Sequence, residues 1–251
     1  HEGSVPLEQL VEHCPFLEEL DIEGWDCTKS KHGNCGGQDL VPVSRFKHLR
    51  VLTLSYLAGV RHGKFLELIG KNCQLLRQLR LHYVGEYAHI TYLASLLVTL
   101  RNLDRLIDLR IGHKALDLDS QNFWTAIQEI KSLQRLCLLT YESGKINANM
   151  VVRSLLQLPN LHVIHIHSMT FNKIVLNKAI TRAFITKRDS SNCSLLEIVV
   201  DEANQNSYLK EAAHTETTVG KVTSQLCHKY SLCVMSSYIA KPKPRGLYVS
   251  A

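Results

Sequence analysis

What most limits the fold of this chain is a phrase that recurs seven times: apolar, two variable residues, apolar, one variable residue, apolar. It reads Leu17-Glu-Glu-Leu20-Asp-Ile22, Leu49-Arg-Val-Leu52-Thr-Leu54, Leu76-Arg-Gln-Leu79-Arg-Leu81 and Leu106-Ile-Asp-Leu109-Arg-Ile111. It continues as Leu133-Gln-Arg-Leu136-Cys-Leu138, Leu161-His-Val-Ile164-His-Ile166 and Leu195-Leu-Glu-Ile198-Val-Val200. The alternation that ends each phrase is strand periodicity. A phrase returning every few tens of residues describes a stack of units, each burying its apolar side against the next, and not one closed core.

Successive phrases begin 32, 27, 30, 27, 28 and 34 residues apart, with a degenerate eighth near Tyr230. Such spacing is that of leucine-rich repeats, the longer intervals being absorbed by loops. Between phrases lie stretches with helical periodicity. Phe65, Leu66 and Ile69 share one face of residues 63–71, and residues 90–100 carry a broad apolar face. Ser120 is placed to cap 121–130, where Phe123, Trp124, Ile127 and Ile130 recur at helical spacing, and Asn147 precedes 148–158 in the same way. Strand plus helix, repeated, predicts an α/β solenoid of about seven or eight repeats, with a curved parallel sheet on the concave side and helices on the convex side.

The solenoid is expected over residues 1–236, followed by a basic, proline-containing tail at 237–251 in which Lys241-Pro-Lys-Pro-Arg245 reads as disordered. Residues 217–229 read as a terminal helix, and 232–235 as a last strand capping the sheet. Two insertions interrupt the repeats. Residues 23–44, glycine-rich around Gly33–Gly37, and the basic, serine-bearing 181–194 both read as loops projecting into solvent.

Apolar residues make up 45% of the chain, enough for a continuous core. The longest apolar run, Tyr92–Leu100, falls well short of the roughly 18 residues a membrane span needs. The formal charge of +6 is too mild for a dedicated nucleic-acid binder. The first residue is His1, so the chain is expected to be part of a longer protein. Of the cysteines, Cys14, Cys73 and Cys193 each stand just before a repeat phrase, where a small apolar side chain is normally buried. That placement favours reduced thiols and a cytoplasmic or nuclear protein. Asn192-Cys-Ser is a formal glycosylation sequon, read as coincidental because it falls at an expected helix end.

The extended phrase Cys-x-x-Leu-x-x-Leu-x-Leu, present from Cys14 and from Cys73, resembles the cysteine-containing repeats of F-box/leucine-rich-repeat proteins; the resemblance runs from residue 5 to about 236. Cys193 opens a variant one residue shorter, and the repeats at Leu106, Leu133 and Leu161 lack the cysteine. The resemblance implies that an F-box outside this chain binds the Skp adaptor and cullin of a ubiquitin ligase, while the repeats recruit a protein substrate. Ribonuclease-inhibitor repeats have similar spacing, which keeps a non-ligase scaffold or inhibitor as the alternative.

Period-two alternation points the variable residues of each phrase to the concave face. Arg80, His82, Arg110, Arg135, His165 and His167 make its centre basic, between acidic ends at Glu19, Asp21 and Glu23 and at Glu197 and Asp201. These six basic residues are the candidate partner-binding set. Guanidinium forks suit carboxylate or phosphate, so the expected partner is an acidic or phosphorylated protein segment. The competing reading has Arg80, Asp108 and Arg110 pairing among themselves.

A metal site is not expected. His165 and His167 share a strand face, but His82 lies three strands away, roughly 14 Å by strand spacing. Cys27, His32 and Cys35 fit no zinc pattern. Gly59-Val-Arg-His-Gly63-Lys64 is too short for a phosphate loop and is followed by Phe65 where Ser or Thr is needed. With no other catalytic motif, the chain reads as non-catalytic, without a cofactor, membrane or nucleic-acid partner.

Overall fold

The computed structural model describes residues 7–24, 37–85, 92–113, 115–140, 147–168, 197–199 and 246–250. Seven strands form a parallel ladder: β1 (Glu19–Glu23), β2 (Val51–Leu57), β3 (Gln78–Val84), β4 (Asp108–Gly112), β5 (Arg135–Thr140), β6 (Val163–Ser168) and β7 (Glu197–Val199). Every one begins at the residue just before the second apolar position of its phrase. Helices α1 (Leu7–His13), α2 (Lys64–Asn72), α3 (Leu93–Arg101), α4 (Gln121–Glu129) and α5 (Ala148–Leu155) alternate with the strands. This is a leucine-rich-repeat solenoid of the α/β class.

Register is in phase from one repeat to the next: Leu20, Leu52, Leu79, Leu109, Leu136 and Ile164 are aligned across the sheet. So are Ile22, Leu54, Leu81, Ile111, Leu138 and Ile166. With the phrase-opening leucines, from Leu17 to Leu161, nearly all of these side chains are buried in one continuous core. Each full burial removes apolar surface worth roughly 2 kcal/mol, so the stack is held by addition of nearest-neighbour layers. A backbone device marks the entry of each strand from β2 to β6. The carbonyl of Glu18 accepts from the N–H groups of Arg50 and Val51, and Arg50, Arg77, Ile107 and Gln134 repeat the arrangement toward the next repeat.

The helical side follows local chemistry. The Ser120 hydroxyl accepts from the Phe123 N–H and the Asn147 side chain from the Met150 N–H, capping α4 and α5 as their positions predict. The buried Trp124 indole donates to the Leu118 carbonyl at 2.8 Å, so the largest core side chain carries no unmet donor. Helices α2 and α3 approach closely at Gly70, where a Cβ would sit 2.9 Å from the Thr99 Cα.

The sequence reading of 23–44 as a projecting loop fails for its last part. Residues Gln38–Arg45 form a 3-10 segment with Leu40, Pro42, Val43 and Ser44 buried, packed between α1 and α2. Pro42 denies the segment an α-helical ladder, yet its apolar residues are needed to cover the first repeats, so the chain keeps the helix's place with a tighter turn. Residues 25–36, the expected helix at 217–229, the strand at 232–235, Cys193 and the 181–194 insertion lie outside the described residues. One strand was not anticipated: β8 (Gly246–Ser250), directly after the Lys241–Arg245 stretch, pairs antiparallel with β1, matching Glu19 with Ser250 and Glu23 with Gly246.

Candidate functional site

The variable residues of the phrases line up in rows across the sheet, and the middle row sets the electrostatics. Asp21, Thr53, Arg80, Arg110, Cys137 and His165 are successive register partners. Arg80 and Arg110 therefore stand side by side, one strand spacing of about 4.8 Å apart. Like charges directly across a ladder are unfavourable unless something neutralises them.

Two different solutions are used. Arg110 turns back along its own strand and makes a two-pronged bond to Asp108, Nε to Oδ1 at 2.9 Å and Nη2 to Oδ2 at 2.7 Å. Both groups are largely withdrawn from water, at 12% and 4% side-chain exposure. Arg80 instead donates Nη2 to the Gln78 amide oxygen at 2.7 Å, an acceptor without charge. The expectation of pairing within this cluster thus holds for Arg110 and Asp108, along one strand, while Arg80 bonds to Gln78 and attracts the Asp21 carboxylate along the row. Asp108, two residues before Arg110 on the same face, was legible as a partner from the strand period. What the sequence does not show is that it is buried and acts as the anchor of that arginine.

Arg135 is exposed but belongs to the neighbouring row, as register partner of Asp108 and Val163; the partner of Arg110 on β5 is Cys137. The three arginines occupy consecutive repeats without sharing a row, and Arg135 is offset by two residues along the strand, about 7 Å. His82 lies one row further, paired with Ser55 and Gly112. Burial, reinforced by the Arg110 and Arg80 charges, pushes its pKa down to about 4. At neutral pH His82 is an uncharged donor–acceptor and not part of a cationic patch. That corrects the reading of it as basic.

At the far side of the middle row, the Cys137 Sγ stands 3.4 Å from the His165 Nδ1. Burial drives the Cys137 thiol up to about 12, opposed by Arg110 and aided by Asp108, so it remains protonated and unreactive. His167 is the register partner of Leu139; its side chain lies outside the described residues. On β1, burial and the neighbouring Glu23 raise the Asp21 carboxyl, with Arg80 pulling the other way. The face accordingly runs from a partly buried acid on β1 to arginines on β3 and β4, and then to a thiol–imidazole contact.

Among the described residues, no group of three or more His, Cys, Asp or Glu is close enough to hold a metal ion, and no helix is long and apolar enough to cross a membrane. The arrangement offers charge-assisted hydrogen bonding to an anionic group.

A family model described as "F-box/LRR-repeat protein 18, LRR" matches residues 1–195. Human F-box/LRR-repeat protein 18 is 27% identical over 210 residues, which cover 76% of this chain. The chain spans 29% of the length of that relative.

Proposed function

Because the chain belongs to the leucine-rich-repeat family of F-box/LRR-repeat protein 18, we propose that it is the substrate-recognising part of a Skp–cullin–F-box ubiquitin ligase. In this reading the chain does no chemistry. It holds a protein substrate on its sheet face while an F-box outside it engages the Skp adaptor and cullin. The free thiols of Cys14, Cys73 and Cys137 support a cytoplasmic or nuclear setting.

The observation that carries the partner chemistry is Arg80, half-buried on the sheet face and registered beside an Arg110 whose own fork is held by Asp108. Partly desolvated guanidinium groups bind carboxylate or phosphate more strongly than fully hydrated ones, and their planar forks fix its orientation. Arg135 extends the cationic surface by one repeat. The substrate contact is therefore an acidic or phosphorylated segment.

Affinity purification of the full-length protein tests the assignment. Skp and cullin are expected to copurify with the unaltered protein and with an Arg80→Glu, Arg135→Glu variant alike. Substrates captured by the unaltered protein should be lost from that variant. Absence of Skp and cullin from the purified material would favour a non-ligase scaffold.

A further inference from the structure

Tyr56 and Tyr83 hold the same place in consecutive repeats, two residues after the last apolar position of the phrase. Both have left-handed backbones, with φ of 55° and 49°. Bulky L-residues adopt this conformation reluctantly, and such outliers concentrate where a ligand is held. The equivalent residue of the first repeat is Gly24, with φ of 70°, so the fold accepts glycine at this position. Tyrosine is kept in two repeats where glycine would remove the strain.

The rings form a shelf at the C-terminal end of the strands. Those of Tyr56 and Tyr83 stack at 5.6 Å with planes 9° apart, and the buried His113 ring stands 6.2 Å from that of Tyr83. The left-handed turn breaks the strand alternation, so that His82 and Tyr83 both stay half-buried before Val84 returns to the core. Beside the shelf, Gly112 keeps the strip between His82 and Leu139 low; a Cβ there would lie 3.4 Å from His82 Cδ2 and 3.5 Å from Leu139 Cδ2. Arg80 precedes Tyr83 by three residues on the same strand, about 10 Å in extended backbone.

We infer that the tyrosine shelf is a second contact for the partner segment of the arginine row: a chain in polyproline II conformation lying along β3, with an aromatic side chain on Tyr56 and Tyr83 three residues from the acidic or phosphorylated side chain on Arg80. The inference rests on the proposed role of that row. Aromatic side chains match the shelf because rings pair favourably edge-to-face or offset, and rigid tyrosines lose little entropy on contact. The spacing follows because polyproline II repeats every three residues at about 3.1 Å each, so side chains three apart face the sheet together about 9 Å apart, close to the separation of Arg80 and Tyr83 along the strand.

The probe is a set of fluorescein-labelled glycine–serine peptides, each with one phosphoserine and one tyrosine, at separations from adjacent to about six residues. Fluorescence anisotropy with the full chain should give the tightest binding at a separation of three. Replacing the peptide tyrosine by alanine should weaken binding about fivefold, and proline should recover only part of it. Tyr83→Gly and Tyr56→Gly should abolish the advantage of the tyrosine peptide, leave alanine-peptide binding unchanged, and hold or raise the melting temperature. Affinity independent of spacing, or glycine variants that keep the preference for tyrosine, would overturn the inference. If Arg80→Glu abolishes binding while spacing has no effect, the arginine row stands and the tyrosine contact falls. If no phosphoserine peptide binds the unaltered chain, both fall together.

Discussion

Asp108 and Arg110 point the same way from one short strand, and their two-pronged bond lets the arginine sit registered beside Arg80 without leaving a buried charge uncompensated. Removing one member of such a pair strands the other. Asp108→Asn is expected to cost about 3 kcal/mol in urea unfolding, and more than Arg110→Met, which leaves an apolar stem in place of the cation. Equal costs for the two variants would show that the carboxylate is not the anchor of this row.

His82 predicts a pH dependence of defined sign. In the unfolded chain the imidazole takes up a proton near its ordinary value of 6.5, whereas in the fold its pKa is pushed down to about 4. Between those values the unfolded state binds more protons, so stability is full above 6.5 and is lost as pH falls toward 4. The loss amounts to about 3 kcal/mol. A His82→Gln variant removes this component. The difference between its urea midpoints and those of the unaltered protein, followed from pH 7 to 4, isolates the imidazole from carboxylates that titrate in the same range.

Cys73 is fully buried, its Sγ 3.8 Å from the Val43 and Ser44 carbonyls of the 3-10 segment. Burial pushes its thiol up to about 12. Iodoacetamide at mildly alkaline pH is expected to label the half-buried Cys14 in the native protein and Cys73 only after unfolding. Peptide mass mapping over a urea series distinguishes the two, and labelling of Cys73 at the same rate as Cys14 in buffer would refute the packing described.

Gly70 is set by a close approach between helices and not by its own backbone. A methyl group there would meet the Thr99 Cα at 2.9 Å, so α2 and α3 would have to separate. Gly70→Ala raises intrinsic helix propensity but is expected to destabilise the protein by about 1–3 kcal/mol, because overpacking outweighs the propensity gain. A higher melting temperature in that variant would contradict the geometry.

Much of the architecture is written in the spacing of the leucines. Strand starts, register and the caps at Ser120 and Asn147 follow from period and chemistry that act within a few residues. The site was less legible, for three physical reasons. Rows come from counting within each phrase: Arg80 and Arg110 fill the single variable position, while Arg135 fills the place before the second apolar residue. The basic letters alone hide that difference. The protonation of His82 depends on burial and on two arginines from different strands, which no local pattern displays. The left-handed backbone at Tyr56 and Tyr83 is invisible because tyrosine is an ordinary strand residue; only Gly24 at the matching place hints at it. The 3-10 segment was missed because glycines before it and Pro42 within it resemble loop composition, whereas Leu40 and Val43 are core.

The register of the sheet also carries information about order. From Asp21 to His165 the middle row meets the repeats in the sequence in which they are encoded. Linear position along the chain thus becomes linear position across the surface. Excising one whole repeat would shorten that row by a single strand width, about 4.8 Å, and slide the acid toward the arginines while leaving every other neighbour in place. The surface can be edited as a text is edited, by removing or exchanging one word.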